Sequence, residues 1–256
     1  MPVKAIGFLC LLLAGTHVQA ECPGIPAPLT AQLLPGQIVL IGEIHGTAQM
    51  PKRFADVICH ARQNQTTVKI GLELPDESAT GLASWLDSDG SAEAKRQLAS
   101  RPFWLDDYQD GRASKAMFAL LVDLHRYRND VEVFAFDRQT SGRDYAMAMR
   151  ILEETTDNTL TLVLTGNIHS QTHVGTPWDP TFETMGSVIL ARHSRTVGIR
   201  FRHGGGSAWV CAPECGERRL AGDAATPAKV FTKSSGPHDF DWWIGTIDVS
   251  MPLVTN

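Results

Sequence analysis

Gly42-Glu43-Ile44-His45-Gly46-Thr47 and Gly166-Asn167-Ile168-His169 each follow directly on an apolar, strand-forming run, Gln37 to Ile41 and Thr161 to Thr165. An imidazole beside a carboxylate can take a proton from water, because the carboxylate holds one ring tautomer and stabilises the imidazolium that forms. His45 with Glu43 or Glu73 has the makings of such a pair. Alternate residues of an extended chain project to one side, which puts Glu43 with His45. The set His45, His169 and Glu73 also suits a divalent metal, zinc, manganese or iron, with water in an open position. Two further runs, Val68 to Pro75 and Val131 to Arg138, bring Glu73 and then Asp137 and Arg138 to their ends. Four strands thus deliver ionisable residues to one rim, with Arg138 the cation expected to stabilise an oxyanion or a substrate carboxylate.

Each residue also has a plainer reading. A buried Glu beside a His is costly unless used, which favours function for Glu43, His45, Glu73 and His169. Asp137 serves equally well as a cap for the following helix, and Arg138 as the partner of Glu73 or Asp137 in a structural ion pair. His173 stands four residues after His169, the spacing of two ligands on a helix, but Gly175 and Pro177 argue against a helix there. His60 and His125 are expected on solvated helix faces, and His203 and His238 in loops. No Gly-x-Ser-x-Gly elbow is present, and the Gly204–Gly206 triplet lacks the Lys and helix of a phosphate loop.

The elements that position these residues follow from periodicity. Phe54 to Arg62, Asp76 to Leu86, Arg112 to Arg128 and Arg143 to Glu153 carry apolar residues at helical spacing. Strands alternating with helices at this interval predict a central, mainly parallel sheet flanked by helices, an α/β fold. Residues 170 to 193 read as a long ordered loop over the pocket. Thr196 to Arg202, Ser207 to Cys211 and Trp242 to Val249 are expected as strands closing the sheet, with antiparallel pairing towards the C-terminus.

Composition limits the function further. Lys4, the apolar run Ala5 to Gly15 and Val18-Gln19-Ala20 form a secretory signal, so residues 1–20 are expected to be removed and 21–256 to form one domain that is periplasmic or secreted. The chain carries 23 basic and 28 acidic residues, and loss of Lys4 enlarges the acidic excess by one. Such a charge offers no footprint for nucleic acid. No later segment is long and apolar enough to span a bilayer. Four cysteines remain after export, and the expected bridges are Cys211–Cys215 and Cys22–Cys59.

In its motifs the chain resembles the superfamily that groups ChaN-like haem-uptake proteins, erythromycin esterases and Tiki or TraB-type metalloproteases. The carrying residues are Gly42, Glu43 and His45, then Gly71 and Glu73, then Gly166, Asn167 and His169. Phe240-Asp241-Trp242-Trp243, leading to Ser250-Met251-Pro252, resembles the ending of some esterase-like members. The Glu-to-His spacing follows the ChaN pattern, whereas Thr47 follows the esterase pattern and Gly46 stands where ChaN-like members carry aspartate. The resemblance implies a ChaN/erythromycin esterase-like α/β fold and two functions. One is hydrolysis of an ester, lactone or amide, with His45 as base or metal ligand and Glu43, Glu73, Asp137, Arg138 and His169 around it. The other is haem or iron binding without chemistry. Three tyrosines, two of them in helical stretches, leave few phenolate ligands for haem, which favours the enzyme.

Overall fold

The computed structural model describes residues 21–63, 67–211, 213–228 and 230–254. The expected export signal, residues 1–20, lies outside the described residues. In chain order the elements are α1 (Ala27–Thr30), β1 (Ile38–Glu43), α2 (Gln49–Gln63), β2 (Thr67–Pro75), α3 (Ala79–Leu86), α4 (Ala92–Ala99) and α5 (Pro102–Leu105). There follow α6 (Lys115–Arg126), β3 (Val131–Asp137), α7 (Arg143–Glu154), β4 (Thr159–Gly166), α8 (Met185–Arg192), β5 (Thr196–Arg202), β6 (Gly206–Cys211), β7 (Cys215–Leu220), β8 (Phe231–Lys233) and β9 (Phe240–Trp243).

Seven strands form one sheet in the order β3-β2-β4-β1-β5-β9-β8, parallel throughout except for the antiparallel pair β8 and β9. β1 lies between β4 and β5, and all six of its residues are buried, as a strand covered on both faces requires. Its side chains alternate between two cores. Val39 and Ile41 pack with α2, α3 and α6, whereas Ile38 and Leu40 pack with Met147 and Ile151 of α7 and Val188 and Ile189 of α8. Each fully buried Ile or Leu contributes about 1.5–3 kcal/mol, so the register of β1 is strongly specified. That register determines which way Glu43 and His45 face.

The structure corrects several expectations from periodicity. Ser207–Cys211 does not close the central sheet: β6 pairs with β7 as a separate antiparallel hairpin, with a single bridge from Gly206 to Ile247. The free edge of β5 is taken by β9, which leaves no ladder for β6 to join. β9 ends at Trp243, and Gly245 turns the chain with φ +84. The span 170–193 contains α8, whose first turn is capped by the Thr184 hydroxyl accepting from Ser187 N at 3.2 Å. The helix expected from Arg112 starts at Lys115, capped by Ser114. α4, which periodicity did not suggest, is capped by Ser91. Cys22–Cys59 and Cys211–Cys215 are bridged as expected. Among the described residues no helix is long and apolar enough to cross a membrane.

Candidate active site

The carboxyl ends of β1, β2, β3 and β4 bring Glu43, Glu73, Asp137 and, one turn beyond β4, His169 to a single rim. Each imidazole there is anchored through Nδ1 on a carboxylate. His45 Nδ1 lies 2.9 Å from Glu43 Oε1, and His169 Nδ1 lies 2.8 Å from Asp144 Oδ1. Both Nε2 atoms face Glu73, at 3.7 Å from Oε2 for His45 and 3.9 Å from Oε1 for His169. Glu73 is 3% exposed, and its Oε2 accepts from the Thr165 hydroxyl at 2.6 Å and from Gly166 N at 2.8 Å.

Two arginines complete the cluster. Arg143 donates from Nη2 to Glu73 at 2.7 Å, from Nε to Asp137 at 2.7 Å and from Nη1 to His169 Nε2 at 3.0 Å. A guanidinium can only donate, so His169 Nε2 accepts and its proton resides on Nδ1, towards Asp144. Arg112 bonds Asp137 through Nη1 and Asp110 through Nε at 2.8 Å. Asp144 Oδ1 also accepts from Met185 N at 2.8 Å, which places its charge at the positive end of α8.

These contacts set the protonation of the site. Burial works against charge on His45, but the Glu73 carboxylate and the Glu43 hydrogen bond prevail and raise the ring from 6.5 to about 9. Burial raises Glu43, and the nearby His45 offsets this only in part. Glu43 Oε2 is buried with no hydrogen-bond partner. For Glu73 burial is overcome by His45, His169, Arg112 and Arg143, which hold it well below the usual carboxylate range.

Backbone geometry keeps the rim tight. Gly46, at φ +68, turns the chain immediately after His45, and a Cβ there would stand 2.3 Å from the Trp209 carbonyl. Trp209 N donates to Gly46 O at 3.0 Å, so the β6–β7 hairpin braces the loop that carries His45. A Cβ on Gly166 would stand 3.2 Å from His45 Nε2, inside the space the two histidines share.

Of the residues expected from sequence, the fold brings together Glu43, His45, Glu73, Asp137 and His169. Arg138 stands apart from them, bonded to Asp76 at 2.9 Å and Glu153 at 3.3 Å. Its strand neighbour Asp137 points inward, and alternation turns Arg138 outward. Arg112, Arg143 and Asp144 were not anticipated. Arg143 and Asp144 open α7 and read as ordinary terminal charges, and the acid in the first helical turn was their only local signal. Among the described residues no group of three or more His, Cys, Asp or Glu is arranged to hold a metal ion. Arg143 joins His169 to Glu73 through its guanidinium. Of the tyrosines, Tyr108 and Tyr145 are exposed, Tyr127 lies under Arg62 and Tyr145 under Arg192.

No family model matches the chain, and no curated protein matches it in sequence. Solved structures do. A Bacillus cereus protein superposes with a TM-score of 0.67 at 12% identity, covering 89% of this chain and 93% of that one. A mutant of the erythromycin esterase EreC, in its open conformation, gives 0.65 at 11% identity, with 89% and 95% covered. The chain has an erythromycin esterase-like α/β fold. A succinoglycan biosynthesis protein shares it at a TM-score of 0.61 and 9% identity, covering 88% of this chain and 91% of that one. At such identities the likeness concerns the path of the backbone, and the chemistry rests on the side chains described above.

Proposed function

We propose that this protein is a hydrolase of an ester, lactone or amide, with His45 as general base. The observation that carries the reading is the pairing of His45 with the buried Glu43, which leaves His45 Nε2 open. Nδ1 is committed to Glu43, so the proton from water arrives at Nε2, and the imidazolium that forms is stabilised by carboxylates on both sides. A base with a pKa of about 9 is strong, although mostly protonated at neutral pH. Glu43 orients the ring, and Glu73 supplies the second negative charge. Arg143, the cation beside both Glu73 and His169, takes the role expected of Arg138 and stabilises the charge developing on the carbonyl oxygen. His169 and Asp137 hold Arg143 in place. The bridged cysteines accord with a periplasmic or secreted protein.

The test is a panel of ester, lactone and amide substrates assayed with the wild type, His45→Ala and Glu73→Ala. Turnover abolished by both substitutions is expected, whereas turnover indifferent to them would remove the site. Titration with haem runs alongside, because a Soret band lost in His45→Ala would assign the rim to haem instead.

A further inference from the structure

A cavity of about 420 Å³ is bounded by Ile44, Asn167, Arg202, His203, Asp223 and Trp243 among others. This size is within the range of small-molecule sites. Ile44 stands between Glu43 and His45 in sequence and Asn167 two residues before His169, so the cavity and the histidine cluster share the segments that follow β1 and β4.

Its charge follows from the register of β5 on β9. Arg200 lies opposite Asp241 and Arg202 opposite Trp243. Arg200 is neutralised by its neighbour, through Nε to Oδ1 at 3.0 Å and Nη2 to Oδ2 at 3.2 Å. One step along the same face, the acid is replaced by an indole. Arg202 stacks on the Trp243 ring at 4.8 Å and, among the described residues, pairs with no carboxylate. Stacking uses the flat face of a guanidinium and leaves its N–H edge free for a planar, two-oxygen acceptor. His203 adds a donor: its Nδ1 accepts from Gly205 N at 3.1 Å, which directs the ring proton to Nε2. Asp223 also lines the cavity, and its Oδ1 is occupied by Ala225 N at 2.9 Å.

We propose that this cavity is a subsite for a carboxylate on the substrate, gripped by Arg202 with His203 assisting. The proposal rests on the hydrolytic reading for the bond that is cut, and on the cavity alone for the acid that is bound. It predicts a substrate carrying a free carboxylate next to its ester, lactone or amide.

Phenylacetate and its uncharged isostere phenylacetamide, titrated into the full chain by calorimetry, test it without requiring turnover. The wild type should bind phenylacetate about tenfold or more tightly than the amide. Arg202→Gln should erase that difference, and Arg202→Lys should keep part of it while reporting on folding. His45→Ala should leave phenylacetate binding unchanged. Equal binding of the two probes, no binding of phenylacetate, or an unaltered preference in Arg202→Gln would each overturn the proposal. Phenylacetate binding that depends on Arg202 in a protein inactive on every ester, lactone and amide would keep the subsite and remove the hydrolase.

Discussion

Glu43 clasps the imidazole two residues further along its own chain: Glu43 Oε1 and His45 Nδ1 stand 2.9 Å apart. β1 ends at Glu43 and His45 lies in the bend that follows, so the pair forms across a short loop that the Trp209 N–H braces at Gly46 O. The other Glu43 oxygen, Oε2, is buried without a partner. Glu43→Gln keeps the shape, removes the buried charge and weakens the hold on the ring. A loss of about 10²–10⁴ in kcat is expected, with a thermal midpoint unchanged or higher. Rates and melting curves on one preparation check both; a large fall in the midpoint would show that Glu43 serves stability.

The protonation of His45 sets the pH dependence of the reaction. With the ring raised to about 9, kcat/KM should climb about tenfold per pH unit from neutrality and level off near that value. Glu73→Gln removes the negative charge facing Nε2, so the ring loses its proton more easily and the rise moves to lower pH. A rate that falls above pH 9 would make His45 an acid in the reaction, contrary to the proposal.

Arg143 holds Glu73 and Asp137 together, and both carboxylates are almost wholly buried. Arg143→Met leaves them facing one another with only Arg112 between them. Unfolding in urea should show a loss of about 3 kcal/mol, and adding Glu73→Gln should restore part of it.

Stability should also respond to pH at two histidines, in opposite directions. His238 is buried, its Nε2 2.9 Å from the Ser170 hydroxyl and 3.0 Å from Asn167 O, and burial together with Arg200 lowers it from 6.5 to about 4. The unfolded chain then binds a proton first, so its contribution is complete above pH 6.5 and declines as pH falls towards 4. His45 is raised instead, so its contribution is complete below 6.5 and is lost as pH rises through about 9. Melting midpoints from pH 4 to 10 should show both limbs, with the acid limb flattened in His238→Asn and the alkaline limb flattened in His45→Ala.

The strands and most helices were legible because period-2 and period-3.6 patterns are local. Gln37–Ile41, Val68–Pro75, Val131–Asp137 and Thr161–Thr165 all appear as strands, and their terminal acids and histidines meet at one rim. Legibility failed where the decisive interaction was distant. His125, expected in solvent, is buried against Trp85 with a ring separation of 4.5 Å; His238 lies in a loop as expected, but only the fold shows that loop buried against the turn after β4. The β6–β7 hairpin has the alternation of a sheet strand, yet the edge it would join is occupied by a segment about thirty residues later in the chain.

The amino-acid sequence by itself determined the order of strands and helices, the Glu43–His45 pair and the residue types brought to the rim, since these depend on side-chain alternation and short spacing. Tertiary structure alone decided that Arg143, from the start of α7, would insert between His169 and Glu73, that Asp144 would hold His169, and that Arg138 would turn away. The physical reason is that an ion pair gains its energy from proximity and burial, and the crossover from β3 through α7 to β4 creates both only once the sheet has closed.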